Sequence, residues 1–154
     1  MSLLLQRRLL LIGACFAATT ATWAADPGRG TKEEAKALAE AAAAHVNKVG
    51  GEQAFKDFAD AKWHPKDMYV FAQNMDAVML YHGANEKLVG KNFSEVKDST
   101  GKEFGKEMVA TAKKGAGWID YQWAHPVTKK IEDKTSYVVR ITKPDGFVGV
   151  GIYR

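Results

Sequence analysis

The sequence is short of cysteine: Cys15 is its only one. The chain therefore has no cysteine pair for a disulfide and no Cys-X-X-Cys-His motif for haem attachment. It also lacks, beyond residue 25, an apolar run of the roughly 20 residues that a membrane-spanning helix needs. Neither sign of charge is in large excess, with 22 basic and 18 acidic residues and a net charge of +4. Because the lysines are interleaved with acidic residues, we expect a solvated surface and no nucleic-acid partner.

Motifs that mark common enzyme and metal sites are also missing. The sequence has no Gly-X-Ser-X-Gly motif, no phosphate-binding loop and no dinucleotide-binding fingerprint. Its histidines lack the spacing of metal ligands, and its aspartates have no partner of the kind that marks acid–base catalysis. We therefore expect a protein that is not an enzyme and that holds no metal or cofactor.

The first 25 residues have the pattern of an export signal. Arg7 and Arg8 precede an uncharged apolar stretch over residues 9–18, and Thr22-Trp23-Ala24 supplies small residues at the −3 and −1 positions of a cleavage site. We predict cleavage after Ala24, which leaves one domain over residues 25–154 in the periplasm or outside the cell.

Two alternatives remain open for this segment. The apolar stretch over residues 9–25 could stay uncleaved as an N-terminal membrane anchor, although its 17 residues are slightly fewer than a typical transmembrane helix has. Residues 12–15, Ile-Gly-Ala-Cys, are also similar to a lipobox in which Cys15 would carry a lipid. In both cases the domain would stay tethered to the membrane.

Three helices are predicted from capping residues and apolar spacing. Thr31 and Glu34 form a capping box that begins a long, alanine-rich helix, and Gly50-Gly51 ends it. A second short helix is predicted over Glu52–Ala61 and a third over Lys102–Lys113.

Five strands are predicted from β-branched and aromatic runs, over residues 69–73, 78–82, 118–123, 135–141 and 147–153. Residues 126–134 are predicted to be a turn and polar loop, and Pro144-Asp145-Gly146 a tight hairpin turn. Short connections imply antiparallel neighbours. The element order predicts an α+β domain with a central antiparallel sheet of about five strands and its helices on one face.

Short motifs follow one another in a defined order between Tyr69 and Tyr153. They are YVF at 69–71, DAVML at 76–80, His82 at a strand end, LVGKN at 88–92, DSTGK at 98–102, GWIDYQW at 117–123 followed by Pro126, KTSY at 134–137 and GVGIY at 149–153. In order and spacing these motifs resemble the single Cache domain family of extracytoplasmic sensors. The helix that begins at Thr31 occupies the place of that family's long N-terminal helix.

The resemblance implies a PAS-like fold whose antiparallel sheet cradles a small ligand, often a short organic acid. Family members usually lie between two membrane helices of a chemoreceptor or kinase. This sequence ends at its last strand, so we expect no second membrane span and a separate, membrane-bound signalling or transport partner. It also has Gly83 where the family commonly has proline, so the loop after His82 is expected to differ in shape.

A pocket for a small carboxylate needs an apolar, aromatic wall and a few convergent hydrogen-bond donors. The candidate ligand-binding residues are Tyr69, Phe71, His82, Lys91, Trp118, Tyr121, Tyr137 and Arg140. Alternation along strands places Tyr69 with Phe71 and Tyr121 with Trp123, with Trp118 facing away from the second pair. We predict that Tyr69, Tyr121, Tyr137 and His82 converge on one cavity, with Lys91 or Arg140 near its rim.

The same residues allow a second interpretation. Each aromatic side chain could be ordinary core packing, in which case the protein would be an interaction or structural module that keeps the fold without a pocket. Gly149 and Gly151 leave space above the last strand that either a ligand or the long helix could fill.

Overall fold

The computed structural model describes residues 26–154, so the predicted export signal lies outside the described residues. The helices are α1 (Lys32–Val49), α2 (Gly51–Asp57) and α3 (Phe104–Lys113). Short 3₁₀ turns cover Ala61–Trp63 and Glu86–Leu88. The strands are β1 (Val70–Asn74), β2 (Met79–His82), β3 (Ala116–Ala124), β4 (Ile131–Thr142) and β5 (Asp145–Tyr153). Within residues 26–154, no helix is both long and apolar enough to cross a membrane.

The five strands form one antiparallel sheet in the order β2-β1-β5-β4-β3. The last strand of the chain is therefore the central one, and it pairs with β1 on one side and β4 on the other. This arrangement confirms the predicted α+β class and the five-stranded antiparallel sheet. Because both faces of β5 are buried, its side chains contribute to two separate apolar layers.

The first layer lies between the sheet and α1. The capping box at the start of α1 is present: the Thr31 hydroxyl accepts a hydrogen bond from the Glu34 backbone at 3.2 Å, and the Glu34 carboxylate accepts one from the Thr31 backbone at 2.9 Å. Four alanines and Val46 form the buried stripe of this helix. The stripe packs against Val148, Val150 and Ile152 of β5, as strand alternation predicts.

The second layer lies on the opposite face, under α3. Phe104, Met108 and Ala112 of α3 pack there with Val138 and Phe147 of the sheet. The expectation that all helices lie on one face is therefore wrong. Its physical reason is the composition of β3, β4 and β5, which carry apolar side chains on both faces, so that each face needs its own cover.

Strand β4 is longer than predicted, because it begins at Ile131 rather than at Thr135. Residues 131–134 were expected to be a polar loop, yet they pair with β3, including Tyr121 opposite Lys134. The second helix is shorter than predicted: it ends at Asp57 and a 3₁₀ turn follows. The extension of β4 matters for the site because it brings Lys134 into the sheet.

Candidate ligand-binding site

A small cavity lies between the sheet and α3. Its apolar wall consists of Phe71, Met79, Phe93, Phe104, Met108 and Trp123. Its polar wall consists of Gln73, His82, Tyr121 and Lys134. The cavity has a volume of about 10 Å³, which is close to the smallest space that holds one water molecule. Strands β1 to β4, α3 and the segment before α3 each contribute to the lining.

Lys134 carries the charge at this cavity and is only 1% exposed. Its Nζ donates a hydrogen bond of 2.7 Å to the Tyr69 hydroxyl and lies 4.2 Å from the centroid of the Tyr69 ring. Among the described residues, no carboxylate pairs with this amine within 4.0 Å. Burial lowers the pKa of Lys134 to about 7, although the negative charge of Asp67 opposes the shift.

The Tyr69 hydroxyl belongs to a chain of hydrogen bonds. It lies 3.1 Å from the Tyr153 hydroxyl, which donates to the backbone carbonyl of Ala124 at 2.9 Å. Since the Tyr153 proton is used on Ala124, Tyr69 donates to Tyr153 while it accepts from Lys134. Burial raises the pKa of both tyrosines, so each keeps its proton at neutral pH. The amine of Lys134 is thus held in place by a neutral acceptor.

His82 lies beside Tyr69, with ring centroids 4.8 Å apart, and is 6% exposed. Its Nδ1 accepts hydrogen bonds from the backbone of Asn85 at 3.0 Å and Ala84 at 3.3 Å. The ring proton therefore sits on Nε2. Burial, followed by the charge of Lys134, lowers the pKa of His82 to about 3. His82 is consequently a neutral hydrogen-bond donor.

Tyr121 lies on the same face of the sheet, and its hydroxyl is 3.0 Å from the Ser136 hydroxyl. Its ring stacks on Phe104 of α3 with centroids 4.8 Å apart. Phe71 completes this side of the wall. The structure therefore brings together four of the predicted residues, namely Tyr69, Phe71, His82 and Tyr121.

Trp118 and Tyr137 lie on the other face of the sheet. Their rings are 5.0 Å apart, and the amines of Lys32 and Lys36 of α1 lie over them. The expectation that Tyr137 joins Tyr121 at one cavity is wrong, as is the inclusion of Trp118. The reason is strand alternation: Tyr137 follows Ser136, whose side chain points to Tyr121, so Tyr137 must point the opposite way.

The two cations expected near the rim do not line the cavity either. Lys91 is exposed in the loop after β2, where only its backbone makes hydrogen bonds to the described residues. Arg140 lies on the cavity face of β4 but at its far end, where it pairs with Asp145 and contacts the Met75 sulfur at 3.1 Å. The cation that lines the cavity is instead Lys134, which is buried in its wall.

The two glycines of β5 explain how Lys134 fits. A Cβ atom at Gly151 would collide with Cε of Lys134 and with the Ser136 hydroxyl, and one at Gly149 would collide with the Phe71 ring. The space above the last strand is therefore filled by side chains of the polar and aromatic walls, and α1 lies on the opposite face.

The match to known families agrees with this architecture. The family model of the Single Cache domain 2 matches residues 22–154. The chain belongs to this family. Members of the family are extracytoplasmic sensor domains, and the expected resemblance is thereby confirmed.

Relatives of this Cache domain are parts of larger signalling proteins. It is 36% identical over 88 residues to the sensor histidine kinase MctS of Rhizobium johnstonii. The aligned region covers 57% of this chain and 19% of the kinase. It is 31% identical over 114 residues to the methyl-accepting chemotaxis protein McpP of Pseudomonas putida. This alignment covers 73% of this chain and 21% of the receptor. The Cache domain thus spans about a fifth of the length of these two relatives.

Solved structures share the fold. A methyl-accepting chemotaxis protein from Vibrio parahaemolyticus superposes with a TM-score of 0.71 at 24% identity, over 79% of this chain and 87% of that one. A Cache chemosensory domain solved for the structural basis of its carboxylic acid recognition has a TM-score of 0.68 at 28% identity, over 79% and 91% of the two chains.

The Cache domain also has a pocket at its surface, next to the cavity. This pocket has a volume of about 130 Å³ and is bordered by Asn85, His125 and Lys129. His82 and Trp123 line both spaces, and Tyr69 lines the surface pocket. His82 and Trp123, the shared wall, separate the cavity from the surface pocket.

Proposed function

We propose that this Cache domain is an extracytoplasmic binding module for a short carboxylic acid, which it holds in the cavity beside Lys134. The observation that carries the proposal is a fully buried amine that faces a cavity and has no carboxylate partner among the described residues. Buried cations in proteins are normally paired. An anionic ligand would supply the missing partner, and the carboxylic acid recognition of a structural relative supports this choice.

The donors around the cavity suit a carboxylate. A charged Lys134 has three N–H donors, of which Tyr69 takes one, so two are free for ligand oxygens. His82 offers its Nε2–H, and neither His82 nor the tyrosines carries a negative charge that would repel the ligand. Charge-assisted hydrogen bonds of this kind are about twice as strong as neutral ones.

The apolar wall limits the size of the ligand. A cavity of about 10 Å³ must expand to take even a two-carbon acid. Met79 and Met108 are unbranched and can change rotamer at low cost, whereas the aromatic rings around them are closely packed. We therefore propose a ligand of roughly two to four carbon atoms.

Titration calorimetry with acetate, propionate, lactate and pyruvate tests the proposal. Lys134→Met should abolish binding of any acid that the wild type binds, because it removes the charge and keeps most of the volume. Lys130→Met is the matched control, since Lys130 is exposed just before β4, and it should bind as the wild type does.

The measured stability of these variants separates loss of binding from loss of folding. Removing an unpaired buried amine should leave the melting temperature of Lys134→Met unchanged or raise it. If the wild type binds no short acid, the proposal is wrong and the alternative stands, in which the fold serves as an interaction module without a ligand.

We further propose that the domain acts outside the cytoplasm after cleavage behind Ala24, as a binding protein rather than an enzyme, and passes its signal to a membrane-bound partner. The signal-like N-terminal sequence and the signalling relatives support this. N-terminal sequencing of protein recovered from the periplasm should begin at Ala25. A mature chain that begins at a lipidated Cys15 would contradict the proposed cleavage.

A further inference from the structure

Gln73 lines the cavity and carries a buried hydrogen-bond acceptor that has no partner among the described residues. Residues 69, 71 and 73 alternate along β1 and the residue before it, so Gln73 lies on the same face of the sheet as Tyr69 and Phe71. Gln73 is 1% exposed and lines the cavity. Its Oε1 is buried and has no hydrogen-bond partner among the described residues. Gln73 lies opposite Phe147 and Met79 in the sheet, neither of which has a side-chain donor.

This orphaned acceptor differs from the other buried polar atoms without a partner. Those atoms belong to Arg29, Trp63, Asp67 and Thr135, none of which lines the cavity. A buried polar group without a hydrogen bond destabilises the fold, so proteins rarely keep one unless it has another use. Gln73 is the residue of this group that lines the space where the proposed ligand binds.

The cavity therefore offers two different polar features to one ligand. Lys134 provides an unpaired cation, and Gln73 provides an amide oxygen that requires a donor. The other polar side chains of the wall are already engaged: the Tyr121 hydroxyl bonds to Ser136, and Nδ1 of His82 accepts from the backbone of residues 84 and 85. A short acid with only an alkyl chain would satisfy Lys134 and leave Gln73 unpaired.

We propose that Gln73 is a specificity-determining residue that selects short hydroxy acids over the alkanoic acids of the same carbon skeleton. The inference rests on the proposed binding of a carboxylate at Lys134. The ligand hydroxyl donates to Oε1 of Gln73 while the carboxylate accepts from Lys134. Sites built to bond a hydroxyl discriminate strongly against analogues that lack it, because the site's own polar group then stays unpaired.

Two matched ligand pairs test this selection: lactate against propionate, and 3-hydroxybutyrate against butyrate. Calorimetry on the wild type should show tighter binding of the hydroxy acid in at least one pair, by roughly tenfold. In Gln73→Met, which keeps the length of the side chain and removes its amide, the ratio of the two affinities should fall to about one. The alkanoic acid should bind the variant at least as well as the wild type.

A control and a stability measurement complete the experiment. Gln53→Met changes an exposed glutamine on α2 and should keep the wild-type ratio. Gln73→Met should melt at or above the wild-type temperature, since it removes an unpaired buried group. Should that variant fail to fold, Gln73→Leu, which also removes the amide, takes its place, and the same affinity ratio decides.

The outcomes separate this inference from the proposal on which it rests. If no acid of either kind binds, the proposed function fails. If the wild type binds both members of both pairs equally, or if Gln73→Met keeps the preference for the hydroxy acid, the role of Gln73 is overturned while carboxylate binding stands.

Discussion

Lys134 crosses the central strand directly over Gly151, so that its Cε occupies the space that a Cβ atom of residue 151 would need. This contact fixes the path of the lysine side chain from β4, across β5, to the Tyr69 hydroxyl. A glycine at position 151 is therefore a requirement of the site as well as of the strand.

Gly151→Ala tests this relationship. The added methyl group must displace Lys134 or the Ser136 hydroxyl, so we expect the free energy of unfolding to fall by about 1–3 kcal/mol and the affinity for the acid to fall with it. Gly28→Ala is the control, because its nearest neighbouring atom is 3.4 Å from the new Cβ. Unchanged binding by Gly151→Ala would show that Lys134 does not need its present path.

Two tyrosine-to-phenylalanine substitutions, one on each face of the sheet, show which face binds the ligand. Tyr121→Phe removes a hydroxyl at the cavity, whereas Tyr137→Phe removes one on the α1 side. We expect the first to weaken ligand binding by roughly 2- to 10-fold, as the loss of one hydrogen bond does, and the second to leave it unchanged. Calorimetry on both variants measures this, and equal effects would place the ligand elsewhere.

The affinity for the acid should depend on pH through Lys134. Its pKa of about 7 means that the free protein loses the binding charge as the pH rises above 7. We expect the affinity to be nearly constant from pH 5.5 to 6.5 and then to fall by up to about tenfold per pH unit. His82 stays neutral throughout, because its pKa is about 3.

Calorimetry at pH 6, 7, 8 and 9 measures this dependence, and repeating it in two buffers of different ionisation enthalpy detects the proton taken up on binding. A fall that is centred well below pH 7 would assign the effect to another group. An affinity that is constant up to pH 9 would show that the amine stays charged without the ligand.

The stability of the ligand-free protein should change with pH in the opposite direction. Lysine in the unfolded chain titrates near pH 10.4, and Lys134 in the folded chain titrates at about 7. Between these values the unfolded state binds more protons, so the free energy of unfolding rises with pH, by at most about 1.4 kcal/mol per unit. Urea unfolding at pH 7 and pH 9 measures the rise, which should be smaller in Lys134→Met.

The fold could be predicted from local patterns because those patterns are strong. The capping box at Thr31, the alanine stripe of α1 and the alternation in β5 each depend on neighbours within a few residues. The position of α3 could not be predicted in this way. An apolar helix face shows that the helix is buried, but not on which side of a two-faced sheet it lies.

Only part of the site can be predicted, because local patterns identify residues on strands but do not show where a strand begins. Tyr69, Phe71 and Tyr121 are predicted because they are aromatic residues on strands, and His82 because it resembles the strand-end histidine of the Cache family. Lys134 was missed because it follows Glu132 and Asp133, and such a charged run is usually a loop. The signal was nevertheless present: Lys134 is two residues before Ser136, so extending the alternation of β4 by one step places it on the face of Tyr121.

The near absence of free space in the cavity affects how tightly any ligand can bind. A protein that is closed most of the time must first spend free energy to reach an open, binding-competent form, and its apparent dissociation constant increases by the inverse of the open fraction. If one molecule in a hundred is open, about 2.7 kcal/mol of the intrinsic binding free energy is lost to this preorganisation. The packing of the shared wall formed by His82 and Trp123 is thus a feature through which mutation can change the ligand concentration at which the sensor responds, without altering a contact to the ligand.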